Sequence, residues 1–361
     1  MKIIKYLFLL LLLASFASLI YIATEKSAYT LTNTKTINSS KTTVFDYVNE
    51  YKNYENWNYF LTEKSPNTIQ FSAKTYGVGS FIKWDSENGA GSMKTIFVKD
   101  KDSIVQELNY EGSTSTIFWG FKSINGKTEV SCKIEGQLPF IEKIIAITKG
   151  GVATISKEQH DKNLAQLDRS LDYEINTYSV LVDGVFNKVG SYYMQQTINS
   201  KDSTIHKNIK IMLPNLFSFF SKNKVAINGN PFVIYNAVDE ERATTNFSLC
   251  IPIREEIYTS SESDIIGGKL DSFLALKTTI TGDYSHWNEG IKKAKQYLYK
   301  NNLTENKSKP TLYVFIKRFE QEKRPSKWIT TVYIPIYPKS RNKQIIEATK
   351  DTISKKIIPT N

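Results

Sequence analysis

The second half of the chain is written twice. Tyr192–Ile198 matches Leu274–Ile280 at an offset of 82 residues, with Thr-Ile closing both segments. Asn230–Tyr235 aligns with Lys309–Val314 at an offset of 79, and two segments ending Ile-Pro-Ile set Pro252 and Pro335 83 residues apart. A helical stretch lies inside each copy, roughly 205–223 and 284–301. Each copy therefore reads as strand, helix, strand, strand. A half of roughly 80 residues buries its sheet face better by pairing with its twin. The expected product is one pseudo-twofold domain over 175–338, with a pocket on or near the axis. In each closing strand, period-two alternation places Ser248 with Cys250, and Thr331 with Tyr333, on a common face. If that face lines the pocket, its floor is neutral, with Tyr235, Tyr284, Trp287, Trp328 and Tyr333 as candidate aromatic walls.

The doubled Ile-Pro-Ile endings, the Gly282-Asp283-Tyr284 turn before the second helix and the duplication itself resemble the GyrI-like effector-binding domain. That domain occurs in AraC-type and MerR-type regulators and as free-standing proteins. The resemblance implies a hydrophobic, often cationic, small molecule in an aromatic pocket. It also implies a buried Glu two residues before the tyrosine of Tyr-Ile-Pro-Ile. Here that position is Thr331, and Ser248 in the first copy. A hydroxyl does not offset a buried cation, so the expected ligand is a neutral apolar or aromatic molecule. Free-standing relatives that hydrolyse substrates use the same carboxylate, so that activity is not carried over.

Residues 31–172 have a different grammar. Leu31–Ser39 reads as a strand, and Thr42–Val48 as a short helix capped by Ser39, Ser40 or Thr42. An aromatic cluster of Tyr54, Trp57, Tyr59 and Phe60 follows. Five alternating segments come next, 80–85, 91–98, 104–110, 115–121 and 128–135, punctuated by glycines. That is an antiparallel meander. Ser156–Leu171 then reads as a long helix with Ile155, Leu164, Leu167 and Leu171 as its apolar stripe. A curved sheet around one long helix makes a helix-grip fold and encloses a cavity. Thr43–Val48, Trp57, Gly77-Val78-Gly79-Ser80 with Trp84, and Gly91-Ser92-Met93 resemble the SRPBCC superfamily, the START-like polyketide cyclase/dehydrase type. The resemblance implies a cavity for apolar or aromatic ligands and carries no universal catalytic residue. Alternation makes Trp84, Tyr110, Trp119 and Phe121 candidates for the cavity wall.

At the amino terminus Lys2 and Lys5 precede eighteen residues, Tyr6–Ala23, that hold no charge. With Ile3 and Ile4 the apolar run reaches about twenty residues, enough to span a bilayer core. The basic flank should stay cytoplasmic and send the rest of the chain outward. Ala14-Ser15-Phe16-Ala17 offers a rival reading as a cleaved signal peptide, but the apolar run continues past it. Residues 1–27 are therefore read as a signal anchor or transmembrane helix, and residues 339–361 as a basic tail, expected to be disordered.

The net charge of +11 does not point to nucleic acid: the tail holds +4, the first 27 residues +2, and the remaining +5 is interspersed with acidic residues. No DNA- or RNA-binding pattern accompanies it. Cys132 and Cys250 are too few and too far apart for a disulfide framework or a thiolate metal site. His160, His206 and His286 lie in unrelated segments, so no metal, cofactor or catalytic residue is assigned. The expectation is an α+β, membrane-tethered protein that binds or senses a small apolar or aromatic molecule. The alternatives are an enzyme in either cavity, or a structural module whose cavities are filled by side chains.

Overall fold

The computed structural model describes residues 2–24, 27–62, 66–87, 89–138, 143–144, 152–260 and 262–338. The basic tail lies outside the described residues. Contacts divide the chain into two compact units, Met1–Tyr173 and Glu174–Asn361. The architecture is α+β.

The first helix, α1 (Lys2–Thr24), has 23 residues. Its Ile3–Thr24 stretch has a mean hydropathy of 2.4 and no buried share, and is long and apolar enough to cross a membrane. At 1.5 Å per residue such a helix spans roughly 30 Å.

In the first unit β1 (Ala28–Ile37) leads into α2 (Lys41–Asn49) and the short α3 (Tyr59–Thr62). Ser40 caps α2: its side chain accepts from the Thr43 amide at 3.2 Å, satisfying one of the free donors of the first turn. The apolar spacing of α2 then buries Val44, Phe45, Tyr47 and Val48. Six strands follow: β2 (Thr68–Phe71), β3 (Phe81–Asp85), β4 (Gly91–Lys99), β5 (Ser103–Tyr110), β6 (Ser113–Ile124) and β7 (Lys127–Gln137). They form an antiparallel meander closed by β1 against β7, in the order β1-β7-β6-β5-β4-β3-β2. At Gly91 the Trp84 ring lies so close that a Cβ would sit 2.2 Å from it, so only glycine fits there. The long α4 (Val152–Asn176) sends Leu164, Leu167 and Leu171 into the same core as Trp57, Trp119, Phe121 and Val130. The side chain of Ile155, read as part of that stripe, lies outside the described residues.

The second unit holds β8 (Ser179–Lys188), β9 (Ser191–Lys201), α5 (Ile205–Lys222), β10 (Phe232–Asp239) and β11 (Thr244–Ile253), then β12 (Ile265–Leu270), β13 (Phe273–Thr281), α6 (Trp287–Lys300), β14 (Leu312–Lys317) and β15 (Ile329–Pro335). They make one eight-stranded sheet in the order β12-β9-β11-β10-β14-β15-β13-β8. The order is a palindrome of the two copies, with the pseudo-twofold between β10 and β14, which pair only over Phe232–Ile234 and Leu312–Val314.

Two sequence readings need correction here. Each copy has an extra leading strand, and the copies exchange it: β8 pairs with β13 of the second copy, and β12 with β9 of the first. In addition, the offset of 79 between the β10 and β14 segments would set helix-facing Val233 on Leu312, which faces the other way. Pairing Val233 with Tyr313 at the axis gives an offset of 80, and keeps both on the helix face. A one-residue slip exchanges faces, so the aligned prolines mislead by a full register step.

The sheet has two apolar faces. One packs on the helices: Leu249, Ile251, Val332 and Ile334 meet Leu213, Leu216 and Phe220 of α5 and Ala294 and Leu298 of α6. The other gathers Tyr193, Phe232, Cys250, Leu312 and Val314, with Tyr333 packed against them. Cys132 and Cys250 are buried free thiols.

Candidate functional site

An aromatic pocket lies on the helix face of the second unit, where α5 and α6 begin. It encloses about 220 Å³ and is lined by Asp202, Ile205, His206, Tyr235, Val238, Thr245, Tyr284, Ser285, Trp287 and Asn288. At the repeat offset of 82, Asp202, Ile205 and His206 correspond to Tyr284, Trp287 and Asn288, so the pocket sits on the pseudo-axis and each copy supplies one half. Duplication made the place. The first copy adds Tyr235, Val238 and Thr245 and the second Ser285, so aromatic and polar side chains come from both.

The rings are held in a contiguous stack. Trp287 lies 4.6 Å from Tyr313 in a stacked arrangement and 5.3 Å from Tyr284, while His206 meets it edge-on at 5.1 Å. Tyr235 is 5.0 Å from Tyr313. The Trp287 indole donates to Thr330 Oγ1 at 3.2 Å, which fixes the ring. Burial pushes His206 down to about 4, against the opposing pull of the Asp283 carboxylate, so the imidazole is neutral at neutral pH. Burial likewise raises the Tyr235 and Tyr284 phenols, which stay protonated. Asp202, exposed at the mouth, accepts from Thr245 at 2.7 Å and is the pocket's one carboxylate among the lining residues. The result is a slot of mixed aromatic and polar lining, with neutral His206, Tyr235 and Tyr284 side chains and an acidic lip.

Of the seven residues singled out in this half, the structure brings Tyr235, Tyr284 and Trp287 together. Trp328 packs behind Tyr284 at 4.8 Å, with its indole donating to the Glu322 carbonyl at 2.7 Å, and does not line the pocket. Ser248, Thr331 and Tyr333 share one face, as alternation requires, but it is the face away from the helices. They therefore do not floor the aromatic pocket. Ser248 bonds Thr197 and Asn236, each at 2.8 Å. Thr331 is buried beside Thr279, which donates to Asp183 at 2.8 Å. Tyr333 lines a separate cleft of about 510 Å³ on the open face, with Phe186, Lys188, Phe232, Lys277 and Val314. A further cleft of about 690 Å³ holds Tyr193, Gln195, Lys295, Lys307 and Lys309. His206 and Asp202 escaped the sequence reading, although the offset of 82 places them opposite Asn288 and Tyr284.

The first unit contains a cavity of about 90 Å³ lined by Phe60, Met93, Trp119, Cys132, Asn58 and Asn163 among others. A cavity near 150 Å³ accepts benzene, so this one has room for a few waters. Only Trp119 of the four candidates lines it. Trp84 and Tyr110 pack on Phe60 at 5.5 and 4.9 Å, and Phe121 lies edge-on to Phe45 at 5.4 Å. Beside the cavity a buried polar knot joins Gln106 to Tyr54 at 2.8 Å, Tyr51 at 3.2 Å and the Trp119 indole at 2.9 Å.

No protein-family model matches the sequence. No curated protein matches it either. Among solved structures the chain is similar to the C-terminal domain of EcmrR, at 12% identity over 44% of this chain and 98% of that one, with a TM-score of 0.38. It is also similar to protein MLL2253 from Mesorhizobium loti, at 12% identity over 40% and 97% of the two chains, with a TM-score of 0.31. A third likeness is to Ara h 8.0201, at 10% identity over 40% and 99%, with a TM-score of 0.30.

Proposed function

We propose that the protein is a membrane-tethered receptor for a small apolar or aromatic molecule, held outside the cytoplasm by α1. The observation that carries this reading is the partly enclosed slot formed by Tyr235, Tyr284, Trp287 and His206. Its volume of about 220 Å³ exceeds what benzene needs and falls short of a drug-sized site, which suits a molecule of one or two rings. The neutral imidazole and protonated phenols offer ring faces, and Asp202 at the lip can accept a hydrogen bond from a ligand hydroxyl or amine. On this reading the second unit is a GyrI-like ligand-binding domain. The first is a START-like helix-grip domain whose cavity has been largely filled by its own side chains.

Native mass spectrometry of the detergent-solubilised chain should release a low-mass aromatic or apolar compound from the wild type. A Trp287→Leu variant should carry much less of it. Equal recovery from both would place the ligand elsewhere.

A further inference from the structure

The sheet of the first unit carries an apolar patch on its outer face, the one turned away from α4. Along β4, Met93 and Thr95 are buried and Val98 packs on the core, while Ile96 and Phe97 stay 45% and 50% exposed. A β-bulge is the cause. The register against β5 slips between Thr95 and Phe97, so two consecutive side chains point outward. The Gly77-Val78-Gly79 loop runs beside the bulge: the Gly79 amide donates to the Thr95 carbonyl, and the Thr95 amide to the Ser80 carbonyl, each at 2.9 Å. Positive φ at Gly77 and Gly79 (77° and 85°) turns the chain sharply, and leaves Val78 between them 62% exposed. Tyr76 adds a ring that is 43% exposed. Lys74 Nζ lies 4.8 Å from the Tyr76 ring centre and Lys83 Nζ 5.4 Å from that of Phe81, and neither forms an ion pair among the described residues. Exposed apolar side chains edged by free ammonium groups match a bilayer interface, where rings sit at headgroup level and lysines meet anionic headgroups.

The chain holds this surface near a bilayer that α1 would cross. Three residues separate the end of α1 at Thr24 from the start of β1 at Ala28, a link of at most about 14 Å. Thr95 shares a cross-strand row with Gln106, Ile117, Ile134 and Leu31. The patch therefore begins level with Leu31, about 10 Å along the strands from Ala28.

We infer that this patch docks on the surface of the membrane that tethers the chain. Tyr76, Val78, Ile96 and Phe97 enter the boundary between headgroups and acyl chains, and Lys74 and Lys83 meet anionic headgroups. The inference rests on the membrane-tethered reading of α1.

The test uses the full chain reconstituted in phosphatidylcholine vesicles, with and without phosphatidylglycerol. Cys132 and Cys250 are buried, so a Val78→Cys variant takes a thiol-reactive NBD label at one site. Tyr173→Cys, on α4 at a position 60% exposed, is the control on the other side of the sheet. With phosphatidylglycerol present, doxyl-labelled lipid should quench the label at 78 and spare the label at 173. Ile96→Ser with Phe97→Ser should abolish that quenching, and Lys74→Gln with Lys83→Gln should weaken docking about fivefold per charge. Resistance to alkaline extraction reports the insertion of α1 separately: a chain that washes off contradicts the tether, and this inference with it. In a retained chain, equal quenching at both positions, or none at 78, overturns the docking alone. Blue-shifted emission at 78 without quenching by lipid would mean that protein, such as a second copy, covers the patch, and likewise overturns it.

Discussion

His206 couples the aromatic pocket to pH. Its folded pKa, pushed down to about 4, lies below the ordinary value of 6.5. Between those values the unfolded chain takes up a proton that the native imidazole refuses, so stability falls as pH drops through this window and is unaffected above it. The full effect is on the order of 3 kcal/mol. Urea unfolding followed from pH 7.5 to 4.5 should show a smaller loss in His206→Asn than in the wild type; parallel curves would mean the imidazole is not buried neutral. In the first unit, Gln106→Leu removes the acceptor of the Trp119 indole and strands the Tyr54 hydroxyl, while Tyr51 keeps its bond from Thr95. It should cost about 2–4 kcal/mol in the same assay, because buried donors lose their partners. Register at residue scale was legible in part. Alternation correctly set Ser248 with Cys250 and Thr331 with Tyr333. What alternation alone does not say is which face the helices cover, and the Ile-Pro-Ile residues settle it: Ile251, Ile253, Ile334 and Ile336 are the helix-side core, so their neighbours face away. Trp328 looked like a pocket wall because it is aromatic and near the closing strand, yet its indole is consumed by the Glu322 carbonyl.

At the scale of elements, the exchange of β8 and β12 is the feature that ties the two copies together. A fragment holding one copy leaves its leading strand unpaired and its second strand with an open edge. Residues 174–258 expressed alone should therefore lack a cooperative unfolding transition, and co-expression with 259–338 should restore it. A folded single copy, seen by circular dichroism and a sharp melt, would contradict the pairing. Packing of α6 on β13 gives a second test. A helix-interior Gly→Ala change ordinarily stabilises by about 1 kcal/mol. At Gly290 the new Cβ would sit 2.1 Å from Ile280 Cδ1, and Ile280 is itself buried. Gly290→Ala should instead destabilise by about 1–3 kcal/mol. Most of the meander, both repeat helices and the closing strands could be read from the sequence because period and punctuation agree there. The leading strands could not. Gly267-Gly268 breaks the pattern of β12, and β8 forms an edge whose apolar residues, Leu181, Val185 and Phe186, stay exposed. Both strands are held by a partner of the other copy, distant in sequence, which local pattern does not reveal.

At the scale of the whole molecule, α1 is long and apolar enough to cross a membrane, and the second unit carries the aromatic pocket. With Lys2 and Lys5 retained on the cytoplasmic side, a reporter fused after Asn361 should be active only if it works outside the cytoplasm. Activity of a cytoplasm-dependent reporter would reverse the topology. The central claim is that Tyr235, Tyr284, Trp287 and His206 form a site for a small neutral ring compound, and a direct binding measurement tests it. Tryptophan fluorescence of the full chain should change saturably on titration with a neutral two-ring aromatic such as 2-naphthamide, because Trp287 lines the site. The Val238→Trp variant, with the mouth capped, should show no such response while unfolding like the wild type. Saturable binding that survives the cap unchanged, or no binding to the uncapped protein by any one- or two-ring neutral aromatic, would contradict the account.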